Sequence, residues 1–436
     1  MTPLTVGIIG FAAMIALVVL GVRVAFAAAA VGVAGLVYMR GWSAGVGISG
    51  LIPHAESTHY TLSVLPMFIL IGYLAFHAGI TRGLFDAARK IFSRVPGGLA
   101  VATVFAAAGF AAVSGASTAT AAVFARIAIP EMLRSGYDKR LASAVVAAGG
   151  TLAALIPPSA LMVIYAIIVE ASVGRLLIAG FIPGIISALM YAAAVIIRVK
   201  INPALAPPIG ERYSLREKLS SVQGFWPIMF VVAIVLGGIY LGWMTPTESG
   251  AVAAAVVFLM AIARRQMSRR DFFNALMETG KLTAMIFTVI FCLLIFVRFL
   301  GYAGLPAAFA EWIVGLPVPR LVVLLLILSI YLVLGMFMDA IGMLILTLPV
   351  VFPAIIALGY DPIWFGIIIV KLCEVCLLTP PVGLNCYVVN GVRPDIPLDQ
   401  IFRGVWPFVL ADMAVIALFI AIPDIVTVLP DAMLGK

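Results

Sequence analysis

Leu155-Ile156-Pro157-Pro158-Ser159 stands inside an apolar stretch, and Leu378-Thr379-Pro380-Pro381-Val382 repeats its core 223 residues further on. Proline removes an amide donor and clashes with the preceding helical turn, so each pair predicts a helix that unwinds in mid-segment. The register holds outward from the pairs without a gap. Pro130 is matched by Pro353, and Gly136-Tyr137-Asp138 by Gly359-Tyr360-Asp361. Two copies of 223 residues come to 446, against a chain of 436, so the duplication fills the protein. In a membrane chain, corresponding broken segments in two halves point to the binding site of a transporter.

Composition supplies the membrane. Hydrophobic residues are 64% of the chain and charged residues 11%, with a mean hydropathy of +1.21. A soluble domain carries roughly a quarter charged residues, so the expected class is an all-α polytopic membrane protein embedded in the lipid bilayer. Spans are expected near 4–21, 24–39, 61–80, 141–171, 176–197, 225–243, 247–263, 282–300, 363–391 and 404–422. The run from Leu4 to Leu20 has no charged start or convincing cleavage site and reads as a span, not a leader. Two further apolar stretches, 97–130 and 321–353, break at Ser114-Gly115-Ala116-Ser117 and Gly335-Met336-Phe337-Met338-Asp339. Each half is about 15 residues, roughly 22 Å of helix, which favours a re-entrant hairpin over two crossings.

Basic residues crowd at 82–94, 134–140, 198–218 and 264–281, and Lys and Arg in short loops mark the cytoplasmic side. Both flanks of the first hairpin are basic, whereas the second has only Arg320. The two should therefore enter from opposite faces. Three spans, a hairpin, a broken span and a last span make five crossings per repeat, an odd number that inverts the second copy. The expected organisation is a first repeat over 1–198 (scaffold 1–80, hairpin and broken helix 97–197), a cytoplasmic connector over 199–224, and a second repeat over 225–436 (scaffold 225–300, hairpin and broken helix 321–422). The stretch 301–320 reads as an interfacial helix. The net charge of +8 reports topology, not nucleic-acid binding.

Lipid cannot hydrogen-bond a free carbonyl, so unwound backbone at membrane depth must be buried or line a cavity. Carbonyls of Ala153 to Ile156 and Cys376 to Thr379 are hard oxygen ligands suited to Na⁺. Ser114 and Ser117 add hydroxyls at the first tip, and Gly115 and Gly335 allow close approach. Asp339, at the second tip, is a candidate for cation or substrate contact, against a bland role in capping the returning half-helix. Lys371 and Glu374, three apart on one helix face, read as a structural pair. Arg126 and Arg298 read as side chains snorkelling to the interface. Glu248 in Thr245-Pro246-Thr247-Glu248 reads as a helix start. Cys373-x-x-Cys376 lies in an apolar helix and reads as core packing. His54, His59 and His77 form no ligand spacing, and no phosphate-binding G-x-x-x-x-G-K loop occurs. With no soluble domain and no paired catalytic set, the chain is not expected to be an enzyme, and its energy must come from an ion gradient or a partner.

Several strings together resemble the large membrane subunit of the tripartite ATP-independent periplasmic (TRAP) transporters, the DctM-like family. They are Leu65-Pro66-Met67-Phe68-Ile69-Leu70, Pro96-Gly97-Gly98-Leu99-Ala100, Ser114-Gly115-Ala116-Ser117, Ile129-Pro130-Glu131-Met132, Gly136-Tyr137-Asp138, Leu155 to Ser159, Ala179-Gly180-Phe181-Ile182-Pro183-Gly184, Thr245 to Glu248, Gly335 to Asp339 and Leu378-Thr379-Pro380-Pro381-Val382-Gly383-Leu384-Asn385. The resemblance implies a multi-pass protein of the bacterial inner membrane. It implies Na⁺-coupled uptake of an organic anion, usually a carboxylate, by an elevator motion. A soluble periplasmic substrate-binding protein would deliver the anion, and a small four-helix membrane subunit would be an obligatory partner. By motif, one Na⁺ site falls on Ser114, Ser117, Ala153, Ile156 and Pro157, and a second on Gly335, Cys376, Thr379 and Val382. Substrate would lie between them near Asp339, with Ser159 and Asn385. Ala116 and Ala153 stand where the family often shows serine and glycine, though an alanine still offers its carbonyl. Arg23 stands where a proline is common. The rival expectation is a stand-alone Na⁺ or H⁺ coupled anion symporter that needs no binding protein.

Overall fold

The protein is described by a computed structural model covering residues 1–207 and 213–434, so Pro208 and Arg212 of the connector lie outside the described residues. The described residues are helical and contain no strand. α1 (Pro3–Val19), α2 (Val24–Arg40) and α3 (Trp42–Ser57) are followed by a short 3₁₀ turn, α4 (Val64–His77) and the amphipathic α5 (Ile80–Ile91). The first hairpin is α6 (Gly98–Ser114) and α7 (Ser117–Arg134), and the first broken helix is α8 (Lys139–Thr151) and α9 (Ala160–Ile168). α10 (Val173–Ala179) and α11 (Phe181–Ile201) close that half, and α12 (Leu215–Ser221) belongs to the connector. The second half runs through α13 (Trp226–Tyr240), α14 (Pro246–Ala263), α15 (Arg269–Ala303) and α16 (Leu305–Val314). Its hairpin is α17 (Arg320–Gly335) and α18 (Ala340–Ala357), its broken helix α19 (Pro362–Cys376) and α20 (Leu384–Val392), and it ends with α21 (Leu398–Ala421) and α22 (Asp424–Leu434).

The repeated Gly-Tyr-Asp strings have a local explanation. Gly136 and Gly359 take φ of +79° and +78°, a left-handed stop that costs glycine little. Two residues on, Asp138 caps α8 by accepting the Arg140 amide at 2.8 Å, and Asp361 caps α19 by accepting the Trp364 amide at 2.8 Å. Each broken helix thus starts at the same repeat position for the same reason. The start of α14 is a full capping box, with the Thr245 hydroxyl accepting the Glu248 amide and the Glu248 carboxylate accepting the Thr245 amide. That is the role read for Glu248 in the sequence.

Six helical stretches among the described residues are long and apolar enough to cross a membrane: 60–77, 173–201, 246–263, 269–303, 340–357 and 398–421. α6 and α17, at 17 and 16 residues, are shorter. At 1.5 Å per residue they reach only about 25 Å, whereas α18, the other arm of the second hairpin, is among the six. α6 packs on α7 and α17 on α18 across their breaks.

Three elements differ from expectation. The span expected at 282–300 is the middle of the 35-residue α15, so Arg269, Arg270 and Lys281 lie on a helix and not in a loop. A second capping box starts that helix at Ser268, whose hydroxyl accepts the Asp271 amide at 3.2 Å. α3 and α5 had no counterpart in the expected spans, because α3 contains Pro53, His54 and Glu56 and α5 is half polar. Within 301–320 the helix is α16, starting at the left-handed Gly304.

α8 from Leu141 to Thr151 and α19 from Ile363 to Cys376 are buried on every side. A helix apolar all round belongs in the middle of a larger assembly, and these two form the centre here. Small residues let the neighbours close in. A Cβ on Gly150 would meet Ala121 Cβ at 2.8 Å, and one on Gly72 would meet Ser114 Cα at 2.8 Å, the tight small-residue packing usual between membrane helices.

Candidate functional site

α8 loses its helical pattern after Thr151. A 3₁₀ turn covers Leu152–Ala154, and the chain resumes as α9 only at Ala160. Leu152 O accepts the amides of Leu155 at 3.2 Å and Ile156 at 2.8 Å. Ser159 Oγ donates to Ala154 O and accepts the Met162 amide at 3.3 Å, so it both closes the gap and caps α9. The carbonyls of Ala153, Ile156 and Pro157 accept no hydrogen bond from any described residue. The Pro157-Pro158 bond is cis, as is Pro380-Pro381.

The first tip seats on this break. Gly115, at φ +59°, accepts the Ala160 amide on its carbonyl at 3.3 Å, and a Cβ there would lie 2.5 Å from Pro158 O. Thr120 Oγ1 donates its one proton to Ala116 O at 3.0 Å, so in the 2.8 Å contact between Ser114 and Thr120 the serine is the donor. The Ser114 lone pairs are left available. Ser117 makes no side-chain hydrogen bond with a described residue, and its carbonyl faces Gly150 of α8. The five residues expected around the first ion are therefore gathered on one tip and one break.

The second break is built from different side chains to the same plan. α19 stops at Cys376 and α20 starts after the left-handed Gly383, at φ +42°. Leu377 O accepts the Asn385 amide at 3.1 Å, whereas the carbonyls of Cys376 and Thr379 accept nothing from described residues. Met336 O, at the tip, accepts the Val382 amide at 3.2 Å. Gly335 lies so close to the break that a Cβ would be 2.6 Å from Cys376 Cβ. Thr379 Oγ1 is buried without a partner. Gly335, Cys376, Thr379 and Val382 are thus also brought together.

The residues expected around substrate are less uniform. Asp339 is exposed at the second tip, where it accepts the Gly342 amide at 2.9 Å and caps α18, the bland role considered for it. Ser159 and Asn385 are fully buried. Asn385 Nδ2 donates to Ala147 O at 3.1 Å, tying α20 to α8, and its Oδ1 has no partner. No described hydrogen bond joins Asp339 to either. Arg23 is exposed between α1 and α2.

One buried cluster was only half legible. Lys371 Nζ lies 2.5 Å from Glu374 Oε2, as their spacing suggests, but also 2.6 Å from Asp412 Oδ1 on α21. Tyr191 of α11 donates to Asp412 Oδ2 at 2.8 Å, stacks its ring 5.3 Å from the ammonium, and meets Thr151 Oγ1 at 3.0 Å. All three charged side chains are fully buried. Asp412 could have been found as a lone acid in an apolar span, which defaults to a functional or paired role; Tyr191 and Thr151 carried no signal. Cys373 and Cys376 are buried free thiols, and His77 meets Glu278 at 3.2 Å.

Two hairpins, each seated on an unwound helix at the centre of a multi-pass helical body, define an inner-membrane transport protein and not an enzyme. The chain belongs to the DctM component family of the tripartite ATP-independent periplasmic transporters, whose model matches residues 11–425. It is 38% identical over 377 residues to the C4-dicarboxylate TRAP transporter large permease protein DctM of Pseudomonas aeruginosa, covering 86% of this chain and 87% of that one. A sialic acid TRAP transporter large permease protein of Vibrio cholerae is 30% identical, over 86% and 88%. Among solved structures, MtrF of Neisseria gonorrhoeae matches with a TM-score of 0.58 at 13% identity over 97% of this chain and 96% of that one. The YdaH transporter of Alcanivorax borkumensis gives 0.54 at 16%, over 83% and 86%. Those two likenesses concern the fold alone.

Proposed function

We propose that this large permease subunit takes up an organic carboxylate coupled to Na⁺, by an elevator motion of the hairpins and broken helices against α1–α4 and α13–α15. The single observation that carries the reading is that each hairpin tip is hydrogen-bonded to an unwound segment whose neighbouring carbonyls have no donor. Buried polar groups without partners are costly, and a hard monovalent cation satisfies several at once. One ion would take Ser114 and Ser117 with the carbonyls of Ala153, Ile156 and Pro157. The other would take Gly335, Cys376, Thr379 and Val382. Each ion then joins a tip to its break, and coupling follows from the preference of the ion for the state in which tip and break are in register. The two halves stand as inverted copies in this reading, with opposite entry of the hairpins.

The relatives named for C4-dicarboxylates and sialic acid support a carboxylate cargo. The tripartite, periplasmic family description supports a binding protein and a small membrane subunit as partners, and we take the latter to be a four-helix protein. The test is uptake in proteoliposomes carrying the complete three-part system. Uptake should stop when Na⁺ is replaced by K⁺ on both sides. Undiminished uptake without Na⁺ would reject the coupling.

A further inference from the structure

A cavity of about 500 Å³ lies between the first hairpin, α4 and α15. Its inner end is the tip itself, at Ser114 and Ala116, and its wall carries Arg126 of α7 with Lys281 of α15. Neither cation forms an ion pair or hydrogen bond with a described residue. The one carboxylate on the wall, Glu278, is 3.2 Å from His77. A second cavity, of about 350 Å³, continues past Arg126 to Arg89 and Arg134. Its acids are Asp86 and Glu131, and Glu131 is held by Arg89 at 2.6 Å. Arg126 and Lys281 are both exposed residues of the cavity wall.

We propose that Arg126 and Lys281 form a transient carboxylate-binding site on the route between the first hairpin tip and the basic face of the protein. This rests on the carboxylate-transport reading, but neither Arg126 nor Lys281 belongs to an ion site; only the inner end of the cavity, at Ser114, borders the first. Two cations from different elements, one on the hairpin and one on α15, hold an anion best in the state that brings them to the same cavity. A carboxylate leaving the tip is received by charge-assisted hydrogen bonds, and the cavity focuses anions over cations. A lipid phosphate offers similar chemistry, so the test separates the two.

Ala119, half-buried on the cavity wall, is replaced by cysteine in the complex with its small subunit. Labelling rates are measured with an anionic sulfonate and a cationic ammonium thiol reagent of similar size, and the chain without Ala119→Cys gives the background from Cys292. The anionic reagent is expected to react faster. Arg126→Gln with Lys281→Gln should lower the anion-to-cation rate ratio roughly tenfold, whereas Arg126→Lys and Lys281→Arg should preserve it. Excess succinate or a sialic acid should slow labelling equally in vesicles of neutral phosphatidylcholine and in vesicles with added phosphatidylglycerol. A ratio unmoved by removing both charges overturns the site, as does slowing by anionic lipid alone or protection by neither carboxylate. The labelling needs no Na⁺ gradient, so its outcome is separate from that of the uptake assay.

Discussion

Replacing Lys371 by methionine should be among the most damaging single changes in this protein. The ammonium is fully buried and lies 2.5 Å from Glu374 and 2.6 Å from Asp412. Removing it leaves two carboxylates in a dry interior, where only the Tyr191 hydroxyl remains as a donor, to Asp412 at 2.8 Å. Removing one partner of a buried ion pair costs about 3–5 kcal/mol, and here two acids lose the same cation, so the upper end is expected. Tyr191→Phe removes one hydrogen bond to Asp412 and should cost about 1–3 kcal/mol. An exposed control is Arg403→Ala, whose contact with Asp399 is 3.9 Å long and should count for under about 1 kcal/mol. The triple change Lys371→Met, Glu374→Met, Asp412→Leu removes every charge at once and should recover most of the loss, because apolar replacement of a whole buried cluster is often neutral. Thermal unfolding midpoints in detergent, at one scan rate, rank the four variants. If Lys371→Met unfolds alongside Arg403→Ala, or the triple variant falls further than the single one, the charge-compensation argument is wrong.

Thr379→Val keeps the shape but deletes a buried hydroxyl that has no protein partner. Its midpoint should stay near wild type while the Na⁺ concentration for half-maximal uptake rises about tenfold, the equivalent of one hydrogen bond to a charged group; an unchanged Na⁺ dependence would remove Thr379 from the ion site. Gly335→Ala places a methyl 2.6 Å from Cys376 Cβ, an overpacking expected to cost about 1–3 kcal/mol. The Cys376 Sγ stands closer still to the added methyl, so Cys376→Ala should restore part of the midpoint and Cys376→Gly should relieve the remaining Cβ contact; a midpoint that Cys376→Ala leaves unmoved would refute the overpacking. Between α20 and α21, Arg393 holds the Asp395 carboxyl below its usual range by a side-chain hydrogen bond. Stability from a lowered acid is fully present above the unfolded value, about 3.9, and is lost only as pH falls through the folded one. The effect of Asp395→Asn on the midpoint should therefore be flat from pH 8 to pH 5 and shrink only in stronger acid; a change between pH 8 and pH 6 would contradict this.

What could be read from the sequence was local. Gly136 and Asp138, with Gly359 and Asp361, act within one helical turn, so their spacing alone located the starts of both broken helices. The proline pairs act within one turn as well, and both breaks fall where they stand. The Ser268 capping box was equally local, but the basic residues around it were weighed as a loop, and the start of α15 was misplaced. By contrast, Asp412 meets Lys371 from another helix, and Tyr191 meets Asp412 from 221 residues away; no periodicity encodes such a pairing. Arg126 shows the same limit. Its place near the end of a hairpin arm suggested a side chain snorkelling to the interface, and the approach of α15 makes its surroundings a cavity shared with Lys281.

These long-range contacts share a geometric property. Thr151 is the last residue of α8 before the first break, and Glu374 stands two residues before the end of α19; both occupy the same position in the 223-residue register. The chain Thr151–Tyr191–Asp412–Lys371–Glu374 therefore links the two breaks at their corresponding points, and Asn385 to Ala147 O adds a second link one turn away. A polar network is strong only when all its members are satisfied together, so displacing one break costs hydrogen bonds at the other. The two ion sites proposed above, on one such frame, would need no further device to influence each other, because whatever orders the first segment has already ordered part of the support of the second.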